Sequence, residues 1–363
     1  MIDQLIQQAL FSLDPETAHD LLRKIAKVAP RFALANAFQT KFSSLACRIG
    51  ETALNSPIGL AAGFDKNAEM IDFLLALGFG FVELGSVSAE ACSGRQRPRI
   101  FRLKKDTSLI NRMGLPNDGA QKISQRVHKH DKKSPIGINV VNTPGFAKTT
   151  DLNAIEELMQ LVNGFHQKAG YLTLNLSCPN SDDGKTFENL DLFLELTNAL
   201  HELKQSAYVK IPVLAKLSPD LSDKDFTAIV EAASKKAWDG LVISNTTTTR
   251  PKGKTNAERI KKIGAGGLSG ALLLKKANGK LKLARQILGP TPTIIGVGGI
   301  TKPEDAIEKF LLGANLVQVY TGFIYGGPSW LKDLHVRLDE FVQEQGLKSF
   351  HDIIGKEELL KEI

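Results

Sequence analysis

Paired cysteines, long apolar runs, low-complexity tracts and a basic leader are all missing from this chain. Its three cysteines, Cys47, Cys92 and Cys178, are odd in number and lack the spacing of a zinc site or a disulfide framework. No metal and no stapled secreted scaffold is therefore expected, and a reducing compartment fits. No apolar run approaches the length that crosses a bilayer. The first residues, MIDQLIQQALFSLDPE, carry Asp3 and Asp14 without a basic cluster, which reads poorly as a signal peptide. Basic residues do not interleave with aromatics, so nucleic acid is not an expected partner. The net charge of +7 suits an anionic surface or ligand without choosing between them.

What is present is an ordinary globular composition, 23% charged and 42% hydrophobic over 363 residues, enough to bury a large core in one main domain. From residue 57 onward short runs of Val, Ile and Leu alternate with amphipathic helical stretches, the pattern of βα units and a parallel sheet. About eight runs read as strands: Pro57–Phe64, Phe81–Val87, Pro135–Val140, Tyr171–Ser177, Pro212–Ser218, Gly240–Thr246, Thr293–Gly299 and Leu316–Gly322. Helices are expected at about 67–77, 151–169, 187–205, 222–236, 269–288 and 303–312. That count predicts an α/β fold, the TIM (β/α)8 barrel, over 51–345, with a tail helix at 346–363. Residues 88–134 are too long for a plain βα connection and predict a lid insertion after strand two, a small hairpin with a helix behind it.

The first 50 or so residues form an N-terminal amphipathic helical extension. Ile2, Leu5, Ile6, Ala9 and Leu10 fall at helical spacing; Asp14-Pro15-Glu16 then reads as a cap with proline in the first turn. A second stripe follows at Ala18, Leu21, Leu22, Ile25 and Val28. The pair is either a plug for the barrel bottom or a face turned to a membrane or an incoming ligand.

In such a barrel the site lies at the C-terminal ends of the strands. Here those ends read AAGFDKN, ELGSVS, GINVVN, NLSCPN, AKLSPD, SNTTTTR, IIGVGG and VQVYTGFIYGG, and eight polar ends together are a strong signal. Gly298, Gly299 and Gly322, with helices beginning beyond them, predict a phosphate cradle of backbone amides, with tight turns as the plainer reading. Lys66 and Lys216 near two strand ends need an anion if buried. Amides at Asn111, Asn139, Asn175, Asn180 and Asn245 donate and accept, which suits an imide-bearing heterocycle. Cys178, directly after a strand and between these amides, is a candidate base for a proton next to a carbonyl; Cys47 and Cys92 read as structural.

The motifs AAGFDKN, NRMG, NLSCPN, SNTTTTRP, GGLSG, IGVGGI and VQVYTGFIYGGP together resemble the dihydroorotate dehydrogenase family, over nearly the whole chain. The resemblance implies oxidation of dihydroorotate to orotate in de novo pyrimidine biosynthesis, with FMN as cofactor and Cys178 at the base position. It places Ala62, Gly63, Phe64, Asp65, Lys66, Ser86, Asn139, Asn175, Lys216, Ser244, Gly270, Gly299, Tyr320 and Thr321 along the flavin. Lys66, Asn175, Asn180, Asn245 and Thr246 fall to the substrate, with Asn111, Arg112, Met113, Gly114 and Leu115 over it.

The helical pair and the AGFDK form look like the quinone-reducing class, which implies quinone as acceptor and a peripheral place on the cytoplasmic face of the cell membrane. Three features depart from that class and resemble the soluble class, which uses fumarate or NAD: cysteine instead of serine at 178, LPN at 115–117, and no lysine after strand three in GINVVNTPG. The helical pair favours quinone. Rival readings are another FMN-dependent barrel oxidoreductase, a phosphate-ligand isomerase or lyase barrel, and a ligand-binding barrel without turnover. Oligomeric state is left open by the sequence.

Overall fold

Runs such as IGINV and YLTLN carry β-branched residues without a helical period, whereas the stretches between them carry apolar residues at helical spacing, so strand and helix alternate. The computed structural model describes residues 9–29, 31–144, 151–177, 186–235 and 237–363. A hairpin of β1 (Cys47–Ile49) and β2 (Thr52–Leu54) precedes a closed barrel of eight parallel strands. These are β3 (Ile58–Leu60), β4 (Phe81–Val87), β7 (Ile136–Val140), β8 (Tyr171–Asn175), β9 (Val213–Leu217), β10 (Gly240–Ile243), β12 (Thr293–Val297) and β13 (Leu316–Val319). Each pairs with the next in chain order, and β13 returns to β3. The expected barrel is therefore present, with all strand C-termini on one rim.

The strands stop earlier than their apolar runs suggest. β8 ends at Asn175, β10 at Ile243 and β12 at Val297, because the polar and glycine residues beyond leave the ladder to line the mouth. Within the barrel, Phe81 and Tyr171 fill the floor. Gly59 and Gly137 make room for them: a Cβ at either position would overlap the facing ring, and the two rings meet edge-on at 6.1 Å. Outside, helices such as Asp151–Phe165 press Ile155, Leu158, Leu161, Val162 and Phe165 onto the sheet, each contributing roughly 1.5–3 kcal/mol.

The expected lid is a three-stranded antiparallel sheet. β5 (Ile100–Leu103) and β6 (Ser108–Asn111) form its hairpin, and β11 (Gly267–Gly270) adds a third strand. The sequence pattern assigns 269 onward to a helix; that helix starts at Leu274, because Gly267–Gly270 finds its partner far away in the chain. The helix Thr321–Glu344, bent at Gly327 before Pro328, meets the expectation of a helix by Gly322 but has no counterpart among the helical ranges read from the sequence. Residues 346–363, expected as one tail helix, carry two short 3₁₀ turns, Phe350–Ile353 and Glu357–Glu362.

Among the described residues the barrel bottom is covered by the β1–β2 hairpin, not by helices. Thr52 Oγ1 donates to the Lys132 carbonyl at 2.9 Å, and Gly50 lies against Pro212, both just ahead of barrel strands. The helices Pro15–Val28 and Arg31–Phe38 stand at the opposite end. Asp14 caps the first as expected, accepting from Glu16 N and Thr17 N, and Arg23 Nη1 reaches Glu69 Oε2 at 2.7 Å beyond the end of β3. The plug reading is thereby corrected for the second predicted stripe, Ala18 to Val28. Ile2, Leu5 and Ile6 of the first stripe lie outside the described residues, and Arg31–Phe38 is a helix that the sequence pattern does not mark.

Away from the mouth, Lys309 is fully buried and donates to Asn278 Oδ1 at 2.6 Å. Burial pulls its ammonium down to about 7, against the pull of Glu308 and Asp305. Between about 7 and its ordinary value of 10.5 the unfolded chain binds the proton and the folded chain does not, so stability rises with pH across that window. Replacing both partners, Lys309→Met with Asn278→Leu, is expected to flatten the rise in Tm between about pH 7 and 9.5. It should also raise Tm at neutral pH by roughly 2–4 °C per kcal/mol recovered, as read by calorimetry.

Candidate active site

The strand ends carry a continuous chain of side-chain amides and hydroxyls. Ser86 Oγ donates to Asn139 Oδ1, Asn175 Nδ2 to Ser86 Oγ at 3.4 Å, and Ser177 Oγ to Asn175 Oδ1 at 3.0 Å. Asn245 Nδ2 closes the chain onto Asn175 Oδ1 at 3.3 Å and Ser177 Oγ, and its own Oδ1 accepts Thr246 N at 2.8 Å. Four of the sequence-predicted residues on β4, β7, β8 and the β10 end are thus brought to one surface, each oriented by the next.

Beneath them sits a residue the sequence does not mark. Glu83, in the middle of β4, has no exposed surface. It accepts from Asn139 Nδ2 at 2.9 Å, Tyr171 Oη at 3.0 Å, Thr173 Oγ1 at 3.1 Å and Gln318 Nε2 at 2.8 Å. Lys216 Nζ, rising from β9, lies 3.9 Å from Glu83 Oε1. Burial lowers the Lys216 ammonium and Glu83 opposes that. The only signal in the sequence was a carboxylate inside an otherwise apolar strand, FVELGSV.

On the other side of the mouth, Gly298 and Gly299 follow β12 with φ of 98° and 92°, a backbone that suits glycine. Among the described residues neither amide meets an acceptor. The helix that begins at Thr321 presents its first-turn N–H groups alongside, and Ser269 Oγ joins Thr321 Oγ1 at 2.9 Å, tying the strand that ends in Gly270 to that helix start. Unpartnered amides at a helix start fit an anionic group such as a phosphate. With the amide-lined face and Lys216 they fit a phosphorylated heterocycle.

Lys66 lies past the end of β3, where its Nζ donates to the Gly63 carbonyl at 2.6 Å; Tyr320 Oη donates to the same oxygen at 3.2 Å. Burial first, then the Arg99 guanidinium, pulls Lys66 down to about 8. Beyond it a cavity of about 520 Å³ runs between the barrel and the helical pair, with Leu22, Leu34, Phe38, Phe73 and Phe323 on its walls. Polar groups stand at its inner end. Glu16 is buried and takes Arg99 N at 3.1 Å, Nε at 2.9 Å and Nη2 at 2.6 Å, and Arg97 Nε at 3.1 Å. His19 stands edge-on to Phe64 at 5.2 Å, and burial, with Lys66 next, brings it down to about 4, so it is neutral at physiological pH. Glu16 was legible only as a helix-cap residue, and His19 and Arg99 carried no signal.

Some predicted residues are occupied elsewhere. Asp65 takes the amides of Glu69 and Met70 at 2.9 and 2.7 Å and so holds the turn that leads into the next helix. Phe64 faces the cavity against Tyr320 and Phe323. Arg112 donates to the Ile263 carbonyl at 2.5 Å and stacks on Phe101, and Asn111 Nδ2 donates to Gly267 O at 3.3 Å, so both brace the lid sheet. Met113 lines the cavity; the Gly114 carbonyl accepts from Cys92 Sγ at 3.4 Å, and Leu115 takes a left-handed φ of 57°. Ser244 Oγ donates to the Asn245 carbonyl at 3.1 Å, and Ala62 lies between β3 and Gly63. Cys178 and Asn180 lie outside the described residues.

The profile of the family described as dihydroorotate dehydrogenase matches residues 44–342. Relatives named dihydroorotate dehydrogenase (quinone) include one from Chelativorans sp., 36% identical over 97% of this chain and 95% of its own. Another, from Thermobifida fusca, is 35% identical over 98% and 96%. Among solved structures, the dihydroorotate dehydrogenase of Eimeria tenella in complex with ferulenol superposes with a TM-score of 0.81 at 29% identity, covering 95% of this chain and 96% of that one. An eight-stranded barrel with this mouth, matched by profile, by relatives and by structure over nearly its full length, makes the chain a member of the dihydroorotate dehydrogenase family.

Proposed function

We propose that this chain oxidises dihydroorotate to orotate at the barrel mouth, with FMN as resident cofactor and a quinone as the final electron acceptor. The supporting observation is the amide chain from Asn139 to Asn245 beside Lys216 and the unpartnered amides of Gly298 and Gly299. Lys216, Ser86, Asn139 and Asn175 hold the ring, Ser244 borders it, and Gly270, Gly299 and Thr321 receive the phosphate. FMN, when bound, supplies the two-electron acceptor for the hydride from substrate C6. Lys66 receives the substrate carboxylate, and Asn175, Asn180, Asn245 and Thr246 fix the ring amides, so that binding geometry is set before reaction. Cys178 takes the C5 proton. Ser177, the last described residue before it, bonds to Asn175 and Asn245 at the mouth.

The cavity under the helical pair admits the quinone, its apolar walls taking the tail and the Arg99–His19 end the carbonyl head. Val28 and Phe32 are 81% and 80% exposed, and Leu21 and Ile25 are exposed beside them. Such a face inserts its apolar side chains into the boundary of a bilayer. The protein is thus a peripheral one at the cytoplasmic face of the cell membrane. Among the described residues no helix is long and apolar enough to cross it.

Anaerobic mixing with dihydroorotate followed by a panel of acceptors tests the whole reading. The purified protein is expected to be yellow, to bleach with dihydroorotate, and to recolour with quinone far faster than with fumarate or NAD. Cys178→Ala is expected to stay yellow and bind orotate while flavin bleaching slows by about 10²–10⁴-fold; a colourless protein, or unaltered bleaching in the variant, removes the cofactor or the base.

Lys66 predicts a pH dependence. Its ammonium is charged below about 8 and lost above it, so orotate affinity is expected to hold at lower pH and to fall about tenfold per pH unit above that point. Titration of the flavin spectrum with orotate between about pH 6.5 and 9 reads this, and Lys66→Met should bind weakly with no such bend.

Glu16→Gln strips the counter-charge from buried Arg99, a change on the order of 3 kcal/mol when such a pair is broken. The KM for a short-chain quinone is expected to rise about tenfold or more, with flavin reduction by dihydroorotate changed far less. Stopped-flow assay of the two half-reactions distinguishes them.

A further inference from the structure

We propose that Glu83 is the positioning residue for Lys216: its carboxylate, sealed beneath the mouth, keeps the Lys216 ammonium charged and aimed at the face where the flavin ring lies. This rests on the reading of that face as a flavin site.

A carboxylate with no exposed surface inside a barrel is expensive unless hydrogen bonds and an opposite charge answer it. Asn139, Tyr171, Thr173 and Gln318 supply four neutral donors at 2.8–3.1 Å. They solvate the charge without cancelling it. Among the described residues Lys216 is the only cation within 4.0 Å of Glu83. Among the described residues no cation answers from below, where the rings of Phe81 and Tyr171 fill the floor.

Lys216 has the matching need. Its side chain is 7% exposed, and among the described residues its ammonium has no hydrogen-bond acceptor, Glu83 Oε1 standing at 3.9 Å. The strand holds it firmly, since β9 pairs with β8 at Asn175↔Lys216 and with β10 at Val242↔Lys216. Its donors are therefore left for a group arriving at the mouth. A cation placed there stabilises the negative charge that comes with electrons, and it does so only while it keeps its proton. Burial works against that proton, and Glu83 is the group that works for it. Tyr171, the other titratable group on the carboxylate, is held neutral by burial and by Glu83 itself.

Glu83 also decides how the amide chain faces. Asn139 gives its N–H to Glu83 and so turns its carbonyl up to Ser86. One buried carboxylate thus orients both the cation and the first amide of the ring-binding face.

The test is the midpoint potential of bound FMN against pH, from about 6 to 9.5, in the holoenzyme. Lys66 and Glu188 titrate in this range, at about 8 and about 7, so the bend due to Lys216 is identified as the one lost in Lys216→Met. In Glu83→Gln that bend is expected at least one pH unit lower than in the unsubstituted enzyme, a tenfold weaker hold on the proton. It should be gone in the double variant Glu83→Gln/Lys216→Met. Thr173→Val, which removes a neutral donor, is expected to leave the bend in place. A bend at the same pH with and without the Glu83 carboxylate, or one that Thr173→Val moves equally, overturns the proposal.

If Glu83→Gln alone fails to hold FMN, recovery of FMN in the double variant supports the coupling of the two charges. Loss of FMN in the double variant when Lys216→Met alone retains it makes Glu83 a barrel-packing residue and overturns it. Absence of FMN from the unsubstituted protein is seen before any variant is made and overturns the flavin reading itself, and this inference with it.

Discussion

A closed barrel of parallel strands has no edge, and closure imposes one rule on everything above it: all strand C-termini lie on a single rim. Once β10 pairs with both β9 and β12, and β13 with β3, residues scattered from Gly63 to Thr321 face one space. The amide chain from Ser86 to Asn245 depends on this. So does the cradle, because Gly299 and Thr321 approach each other only through adjacent β12 and β13.

Charge in a dry interior is the second constraint. The floor of aromatic rings leaves Glu83 no water, so the walls must supply its donors and its cation. The same logic holds at the cavity's inner end, where Arg99 is buried and Glu16 is brought to it from another element. Each pair ties together two elements that are distant in the chain. The Glu83 pair joins β4 to β9 under the mouth, and the Glu16 pair joins the first helix to the lid. Lys66 is lowered by burial and by Arg99, so it belongs to the electrostatic field of the Glu16–Arg99 end.

The helical pair gains its meaning from where it docks. With the hairpin at the barrel bottom, the helices are free to stand beside the mouth and enclose a cavity that opens toward their own exposed apolar residues. Ala18 and Ala26 are buried while Leu21, Ile25 and Val28 are exposed. One amphipathic helix therefore serves two apolar environments, the cavity wall and an outer surface.

The sequence alone determined the barrel, its strand positions, the polar strand ends, the helix cap at Asp14 and the family resemblance. Those signals are local: a period of apolar residues, a cap, a motif within a few positions. Tertiary structure decided the rest. Gly267–Gly270 becomes a strand only because β6 offers it an edge; Asp65 and Arg112, which sit in motifs, are spent on the turn ahead of a helix and on a lid carbonyl. Glu83 looks like a stray charge in FVELGSV, and Glu16 like part of a cap, until folding brings Lys216 and Arg99 to them across 133 and 83 positions of chain. Partners that distant leave no period or spacing in the sequence, because only closure of the barrel and docking of the helix set the distance between them.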